Sequence, residues 1–296
     1  MASMQGLSGS VVALVTPFAE DGSVDFAALE RLVDYHLENG TDAILTLGTT
    51  GESSTMSHEE DDEVCRCVVQ RVAGRVPVIA GSGSNSTETM LEKSLSFQKL
   101  GADGLLIITP YYNKSNEEGI YRHFTTVLDA VDVPCILYNV PGRTGCSISE
   151  KNVARLAGHP NAFGIKEASG NIGYASKIAR YISDDFCMFS GNDDIVVPMM
   201  SLGSRGVISV WANVAPKAVH DMCAAWLAGD HDAALSTQLA GLEVVDSLFC
   251  EVNPIPVKYA LELMGFGKAV YRLPLAEPSD SAKAQIKRAL ENAGII

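Results

Sequence analysis

Eight short runs of apolar residues recur along the chain, rich in valine and isoleucine and without regular polar positions between them. Such runs are typical of strands that are buried on both faces. Helical patterns separate them: Asp25 precedes apolar residues at helical spacing that end before Gly40, and Ser57 and Glu60 form a capping box. The predicted strands are 11–17, 43–48, 76–83, 104–110, 134–141, 162–169, 186–191 and 206–213.

Eight strand–helix units within about 225 residues predict an α/β fold, a (β/α)8 TIM barrel. A doubly wound sheet alternates in the same way but usually contains fewer units. After Asp230 the strand pattern stops, and helical patterns cover 233–249, 257–264 and 281–293. We therefore expect a barrel over 1–230, with an active site at the C-terminal ends of its strands, and a helical C-terminal domain over 231–296.

Composition narrows the possible partners. The chain has 296 residues, of which 47% are hydrophobic, and a net charge of −14. An acidic chain is a poor partner for nucleic acid or for an anionic membrane. No stretch approaches the roughly 18 apolar residues of a membrane span, and no signal-peptide pattern opens the chain. Seven cysteines in apolar stretches suit reduced thiols in a cytoplasm. No metal-ligand motif stands out, so we expect no metal.

Lys166 lies inside one of the apolar runs, where a lysine is unexpected. Burial lowers the pKa of an ammonium, because desolvation penalises its charged form. A lysine that is neutral near pH 7 can form an imine with a carbonyl compound. The alternative is a structural ion pair, or a side chain that extends from the end of the strand into solvent.

Polar residues gather at the predicted strand ends, which is where barrel enzymes carry their active sites. If Lys166 points into the barrel, Ile165 and Glu167 point outwards. Each polar residue alone fits an ordinary loop, but their convergence around an interior lysine predicts a site. They are Thr16, Thr49, Thr50, Ser82, Tyr111, Tyr112, Tyr138, Arg143, Asn192 and Asp193.

An imine-forming site also needs a proton shuttle and groups that bind carboxylates. A tyrosine is a plausible shuttle. The turn at 48–52 opens towards a helix, so its NH groups and hydroxyls can bind a carboxylate. An ordinary turn between a strand and a helix explains the same residues equally well. Arg143 can bind a second carboxylate bidentately.

Four motifs in order resemble those of the dihydrodipicolinate synthase family, in the N-acetylneuraminate lyase superfamily of class I aldolases. They are GTTGES at 48–53, TPYYN at 109–113, YNVPGRTG at 138–145 and GIKEA at 164–168. The likeness runs from Gly9 to the C-terminus and includes 206–215 and 253–259. The arginine in the third motif is fairly specific for the synthases. Two departures lie beside the site: Ser169 in place of a common threonine, and Asn192 in place of a common aspartate.

The resemblance implies a lyase that condenses pyruvate with L-aspartate-4-semialdehyde to 4-hydroxy-tetrahydrodipicolinate, in lysine and diaminopimelate biosynthesis. It implies a covalent pyruvate imine and no cofactor, in a homotetramer built as a dimer of dimers. The implied roles are an imine on Lys166, a proton relay of Tyr138, Thr49 and Tyr112 (the last from a neighbouring subunit), carboxylate binding by Thr50 and Arg143, and backbone contacts from Gly191 and Ile208.

The resemblance also implies a possible regulatory site for L-lysine at a subunit interface, matched by Ser53, Ser54, His58, Asn85 and Tyr111. Two positions differ from lysine-sensitive relatives. Asp61 replaces a second histidine, and Thr89 replaces a glutamate that receives the ammonium of the ligand. Glu88 is adjacent, but one residue along a helix turns a side chain by about 100°. We therefore expect weak or absent inhibition by lysine, unless Asp61 reaches that ammonium.

Three alternatives remain at this point. Another 2-oxo-acid aldolase, such as a sialic acid or 2-keto-3-deoxy-sugar acid lyase, shares the lysine and tyrosine but usually lacks an arginine at position 143. A non-catalytic binding protein can use the same scaffold, since fold does not fix function. A phosphate-binding barrel isomerase needs a glycine-rich loop after the last strands, which is not evident.

Overall fold

The computed structural model describes residues 4–296 of the chain. Eight parallel strands form one closed barrel in chain order, which confirms the predicted (β/α)8 fold. The strands are shorter than the apolar runs, because each run continues into the loop at the barrel mouth. They are β1 (Gly9–Ala13), β2 (Ala43–Thr46), β3 (Val78–Gly81), β4 (Gly104–Ile108), β5 (Cys135–Asn139), β6 (Ala162–Glu167), β7 (Cys187–Ser190) and β8 (Gly206–Ser209).

Helices follow the strands and surround the barrel, and both predicted helix starts are confirmed. Asp25 accepts a hydrogen bond from the amide of Ala28, and Ser57 and Glu60 make both bonds of the capping box. The helices are α1 (Phe26–Glu38), α2 (His58–Val72), α3 (Thr87–Leu100), α4 (Glu117–Leu128), α5 (Pro141–Thr144), α6 (Glu150–Leu156), α7 (Ile172–Ile178), α8 (Val196–Ser201), α9 (Pro216–Leu227), α10 (His231–Leu248), α11 (Ile255–Leu263) and α12 (Asp280–Asn292).

Closure of the barrel depends on glycine where β1 meets β8. The two strands pair over four residues, from Gly9 opposite Gly206 onwards. A Cβ atom on Gly206 would lie 1.9 Å from the carbonyl oxygen of Gly9, and its φ of 153° is one that other residues rarely adopt. Only a glycine lets the two backbones approach this closely.

Two apolar layers fill the molecule, as strand alternation requires. The barrel interior holds side chains such as Leu45, Ile136 and Phe189. A larger layer lies between the sheet and the helices and includes Ile165, which confirms that this neighbour of Lys166 points outwards. The same layer also takes in Val244, Leu248, Val257 and Ile286 from the last three helices. Barrel and C-terminal helices therefore share one core, and the division at residue 230 remains a prediction.

An ion pair between Glu52 and Lys258 connects α11 to the barrel mouth. Both side chains are almost fully buried, and Nζ lies 2.5 Å from Oε1. Gln238 of α10 makes a second polar link, donating to the carbonyl oxygen of Asp193 at 2.8 Å. Within residues 4–296, no helix combines the length and apolarity that a bilayer crossing requires. All seven cysteines are free thiols.

Candidate active site

Lys166 stands near the end of β6, in register with Tyr138 of β5. Only 6% of the residue is exposed, and this burial lowers the pKa of its ammonium to about 8. The carboxylate of Asp193 opposes the shift, and the guanidinium of Arg143 adds to it. Among residues 4–296, no carboxylate lies close enough to Lys166 for an ion pair, so the structural alternative for this lysine finds no support.

Tyr138 is the nearest candidate for moving a proton. The Nζ atom of Lys166 lies 4.5 Å from the centroid of its ring. Burial raises the pKa of the phenol, while Arg143 and a hydrogen bond with Thr49 oppose that rise. A phenol in this environment keeps its proton at neutral pH and can donate it as charge develops on a neighbouring atom.

The turn at 48–52 has the tight geometry predicted for it. Thr49–Gly51 forms one turn of 3-10 helix, and Glu52 ends it in the left-handed region at φ 55°. Thr49 is exposed at the mouth, whereas Thr50 is buried. The Thr50 hydroxyl oxygen accepts a hydrogen bond from the side-chain amide of Asn253 at 3.0 Å. The two threonines therefore face different surroundings, although they are adjacent.

Gly191 allows the backbone after β7 to approach the lysine. A Cβ atom at this position would lie 3.1 Å from Cε of Lys166 and 2.5 Å from Cβ of Ala168. Ile208 of β8 is buried among the side chains of the barrel interior. Both residues thus lie inside the barrel or at its mouth, where the resemblance implies backbone contacts with the substrate.

A cavity of about 370 Å³ opens beside Tyr138 and joins two groups of predicted residues. One group belongs to the active site, and the other to the possible regulatory site. The lining residues do not include Lys166, Thr50, Gly191 or Ile208, but they include Tyr138, whose ring lies beside Nζ of Lys166. The predicted residues that line it are Thr49, Tyr138 and Arg143, with Ser53, Ser54, His58 and Tyr111.

Two predicted residues do not line this cavity. Tyr112 is 91% exposed with φ 69°, so within one chain its ring projects into solvent. Asn85 lies beside the cavity, and its backbone carbonyl oxygen accepts a hydrogen bond from Asn113. A single chain therefore contains the lysine, the first tyrosine and the residues predicted to bind carboxylates, but does not bring Tyr112 to them.

Two basic residues with buried partners were missed by the sequence reasoning. Lys93 lines the cavity and pairs with the buried Asp61, with Nζ 2.8 Å from Oδ2. Lys258 pairs with Glu52 behind the turn. Lys258 carried the same signal as Lys166, a lysine in an apolar stretch, whereas Lys93 lies on an amphipathic helix and gave none. Across the described 293 positions, from 4 to 296, no group of three or more His, Cys, Asp or Glu residues could hold a metal ion.

Comparison with known proteins places this chain in a family. The sequence model of the dihydrodipicolinate synthetase family matches residues 6–293. A 4-hydroxy-tetrahydrodipicolinate synthase of Alkaliphilus oremlandii is 47% identical, over 97% of this chain and 99% of its own. The solved dihydrodipicolinate synthase of Acinetobacter baumannii, complexed with pyruvate, superposes with a TM-score of 0.95 at 43% identity, covering 98% of this chain and 99% of its own. The enzyme of Cyanidioschyzon merolae, solved with lysine bound, gives 0.95 at 40%, with the same coverage.

The depressed pKa of Lys166 predicts an unusual pH profile for its acylation by acetic anhydride. The labelling rate should rise with pH and level off once the pH passes the pKa, about 8, because only the neutral amine reacts. Lys268 is a suitable internal control, since its ion pair with Glu20 raises its pKa, and its rate should still rise beyond that plateau. Peptide mapping measures both sites, and parallel profiles would contradict the prediction.

Proposed function

The chain belongs to the dihydrodipicolinate synthetase family, and we propose that its active site is the barrel mouth around Lys166. It is an enzyme that condenses pyruvate with L-aspartate-4-semialdehyde to 4-hydroxy-tetrahydrodipicolinate, in lysine and diaminopimelate biosynthesis. The observation that supports the proposed site is a buried lysine with a lowered pKa, 4.5 Å from a buried tyrosine ring and without a carboxylate partner among the described residues 4–296. Nothing in the site or the comparisons favours a sugar-acid lyase.

The first step is imine formation. The neutral amine of Lys166 attacks the keto carbon of pyruvate, and the resulting carbinolamine loses water to give the imine. A proton must reach the departing oxygen, and the phenol of Tyr138 supplies it.

The second stage joins the two substrates. Loss of a methyl proton from the imine gives an enamine, whose carbon attacks the aldehyde of the second substrate. The amino group of that substrate closes the ring on the imine carbon and releases Lys166.

The proton removed and returned in these steps needs a path to solvent. Thr49 is exposed at the mouth and next to Tyr138, so it can pass a proton outwards. Tyr112 completes the relay by entering the site of a neighbouring subunit. Its exposure of 91% and its left-handed backbone support this, because strained backbone at a non-glycine residue often marks a functional position. The likeness to the synthase family supports a homotetramer, a dimer of dimers, as the proposed assembly.

Two carboxylates have to be bound. Thr50 and the NH groups at the start of the turn at 48–52 bind that of pyruvate, because the NH groups of Gly51 and Glu52 already bond within the turn. Arg143 binds that of the semialdehyde. Arg143 is exposed at the cavity, and its Nη2 donates to the carbonyl oxygen of Asn253 at 3.0 Å, which fixes one edge of the guanidinium. The remaining N–H groups are free to bind a carboxylate. The reaction has no redox step, so we propose no cofactor beyond the imine, in a cytoplasmic enzyme.

Trapping with borohydride tests the function. Pyruvate plus borohydride should inactivate the enzyme and add a reduced pyruvyl group at Lys166, because borohydride reduces the imine to a stable amine. Mass mapping of peptides locates the group. Lys166→Arg should abolish labelling and most activity, since a guanidinium stays protonated. Labelling at another lysine, or none in the unchanged enzyme, would disprove the imine mechanism.

Arg143→Ala should separate the two substrates. The loss should fall on the semialdehyde, with a KM rise of at least tenfold, since a hydrogen bond to a charged group contributes about 1.5–3 kcal/mol. Pyruvate trapping by borohydride should remain close to that of the unchanged enzyme. Arg155→Ala on α6, whose guanidinium lies over Tyr121, is a matched surface control. An equal loss of pyruvate trapping would mean that Arg143 shapes the whole site.

The contacts of Asp61 bear on regulation by lysine. Its buried carboxylate is the group that could replace the missing glutamate, but Lys93 already pairs with it. The ammonium of an added lysine would have to share this carboxylate with the protein's own ammonium, against the repulsion of like charges. This supports the proposal that the side of the cavity formed by Ser53, Ser54 and His58 binds L-lysine weakly or not at all.

A lysine titration of the synthase activity should therefore show no half-inhibition at sub-millimolar concentrations. Thr89→Glu adds a carboxylate where Thr89 lines the cavity, and it should strengthen whatever inhibition exists, because a charge-assisted bond is gained. Glu88→Gln on the same helix turn is the control for a change in local charge. Tight inhibition of the unchanged enzyme would show that this prediction is wrong.

A further inference from the structure

We infer that Asn253, in the segment between α10 and α11, is a positioning residue for pyruvate: its side-chain amide holds the hydroxyl of Thr50 as a hydrogen-bond donor to the carboxylate of the substrate. The inference rests on the proposed function and adds a residue that contacts neither substrate. It makes the C-terminal helical part a component of the carboxylate site.

The contacts of Asn253 reach both carboxylate-binding groups. Its Nδ2 donates to Oγ1 of Thr50 at 3.0 Å across 203 positions of sequence, and both residues are buried. Its backbone carbonyl oxygen accepts from Nη2 of Arg143 at 3.0 Å. The side chain of Asn253 thus bonds to Thr50, and its main chain bonds to Arg143.

The direction of the first bond matters. A hydroxyl has one hydrogen and two lone pairs. Because Thr50 accepts the Asn253 N–H, its own hydrogen remains available for a different acceptor. A donor that is already oriented before the anion arrives stabilises it without reorganisation. With Asn253 absent, the hydroxyl can rotate towards other acceptors, and this preorganisation is lost.

A second contact holds the same turn from behind. Lys258, one helical turn into α11, pairs with Glu52 and lies 4.2 Å above the ring of Phe18. Glu52 sits two residues after Thr50, in the left-handed backbone that ends the turn. The segment 253–258 therefore holds the turn at two points, at Thr50 through Asn253 and at Glu52 through Lys258.

Asn253→Ala tests the inference because it removes the amide but keeps the backbone carbonyl that Arg143 uses. We expect the KM for pyruvate to rise about five- to tenfold, the loss of one oriented hydrogen bond. The KM for the semialdehyde and the melting temperature should change little. Val252→Ala, a neighbouring position that is 57% exposed, is the matched control and should leave both KM values unchanged.

A double-mutant cycle separates positioning from general packing. In a Thr50→Val background, adding Asn253→Ala should raise the KM for pyruvate no further, because the hydroxyl it orients is already gone. Should Asn253→Ala fail to fold, Asn253→Ser keeps a polar side chain too short to reach Thr50 and should give the same selective rise. Additive effects, or equal rises for both substrates, would overturn the inference.

The same measurements distinguish this inference from the proposed function. If the unchanged enzyme traps pyruvate on Lys166 but Asn253→Ala and Asn253→Ser leave the KM for pyruvate unaltered, only the role of Asn253 is rejected. If the unchanged enzyme traps no pyruvate, the proposed function itself fails.

Discussion

Closure of the parallel sheet is the constraint from which the rest of the molecule follows. Once β8 pairs with β1, every strand ends at the same mouth, and residues far apart in sequence become neighbours. Closure also seals the interior, so that an inward side chain near a strand end meets water only through that mouth. The burial of Lys166 is a direct consequence, and the lowered pKa of its ammonium follows from the burial. The reactivity proposed for Lys166 therefore depends on the closure of the sheet.

Three lysines with little exposed surface differ in the partners of their ammonium groups. Lys258 has a lowered pKa, but Glu52 pairs with it and opposes the shift. Lys93 pairs with Asp61. Among residues 4–296, no carboxylate lies within ion-pair distance of Lys166; its Nζ lies 4.5 Å from a tyrosine ring, and the carboxylate of Asp193 acts on its pKa from farther away. A paired ammonium is held in its charged form, whereas an unpaired one loses its proton more easily. The absence of a carboxylate partner thus distinguishes Lys166, the proposed nucleophile, better than burial does.

The sequence predicted what depends on local pattern and missed what depends on distant contacts. Apolar runs identified all eight strands, but not their ends, because the apolar residues continue into the mouth loops; the first run, 11–17, corresponds to Gly9–Ala13. The short helices Pro141–Thr144 and Val196–Ser201 are too brief for a recognisable period. Lys166 stood out because its neighbours are apolar. The bond from Asn253 to Thr50 spans 203 positions, and no local pattern contains it.

The residues from 49 to 60 form one continuous stretch that includes the turn after β2, part of the cavity lining and the start of α2. The turn carries Thr49 and Thr50, the following residues line the cavity, and Glu60 opens α2. The C-terminal region holds this stretch at both ends, through Asn253 at its start and through Arg272, whose guanidinium donates to both carboxylate oxygens of Glu60. Hydrogen bonds of this bidentate kind fix orientation as well as distance. The barrel alone places Lys166, but the hydrogen bond that holds the Thr50 hydroxyl comes from the C-terminal region outside the barrel. The proposed active site therefore depends on that region as well as on the barrel.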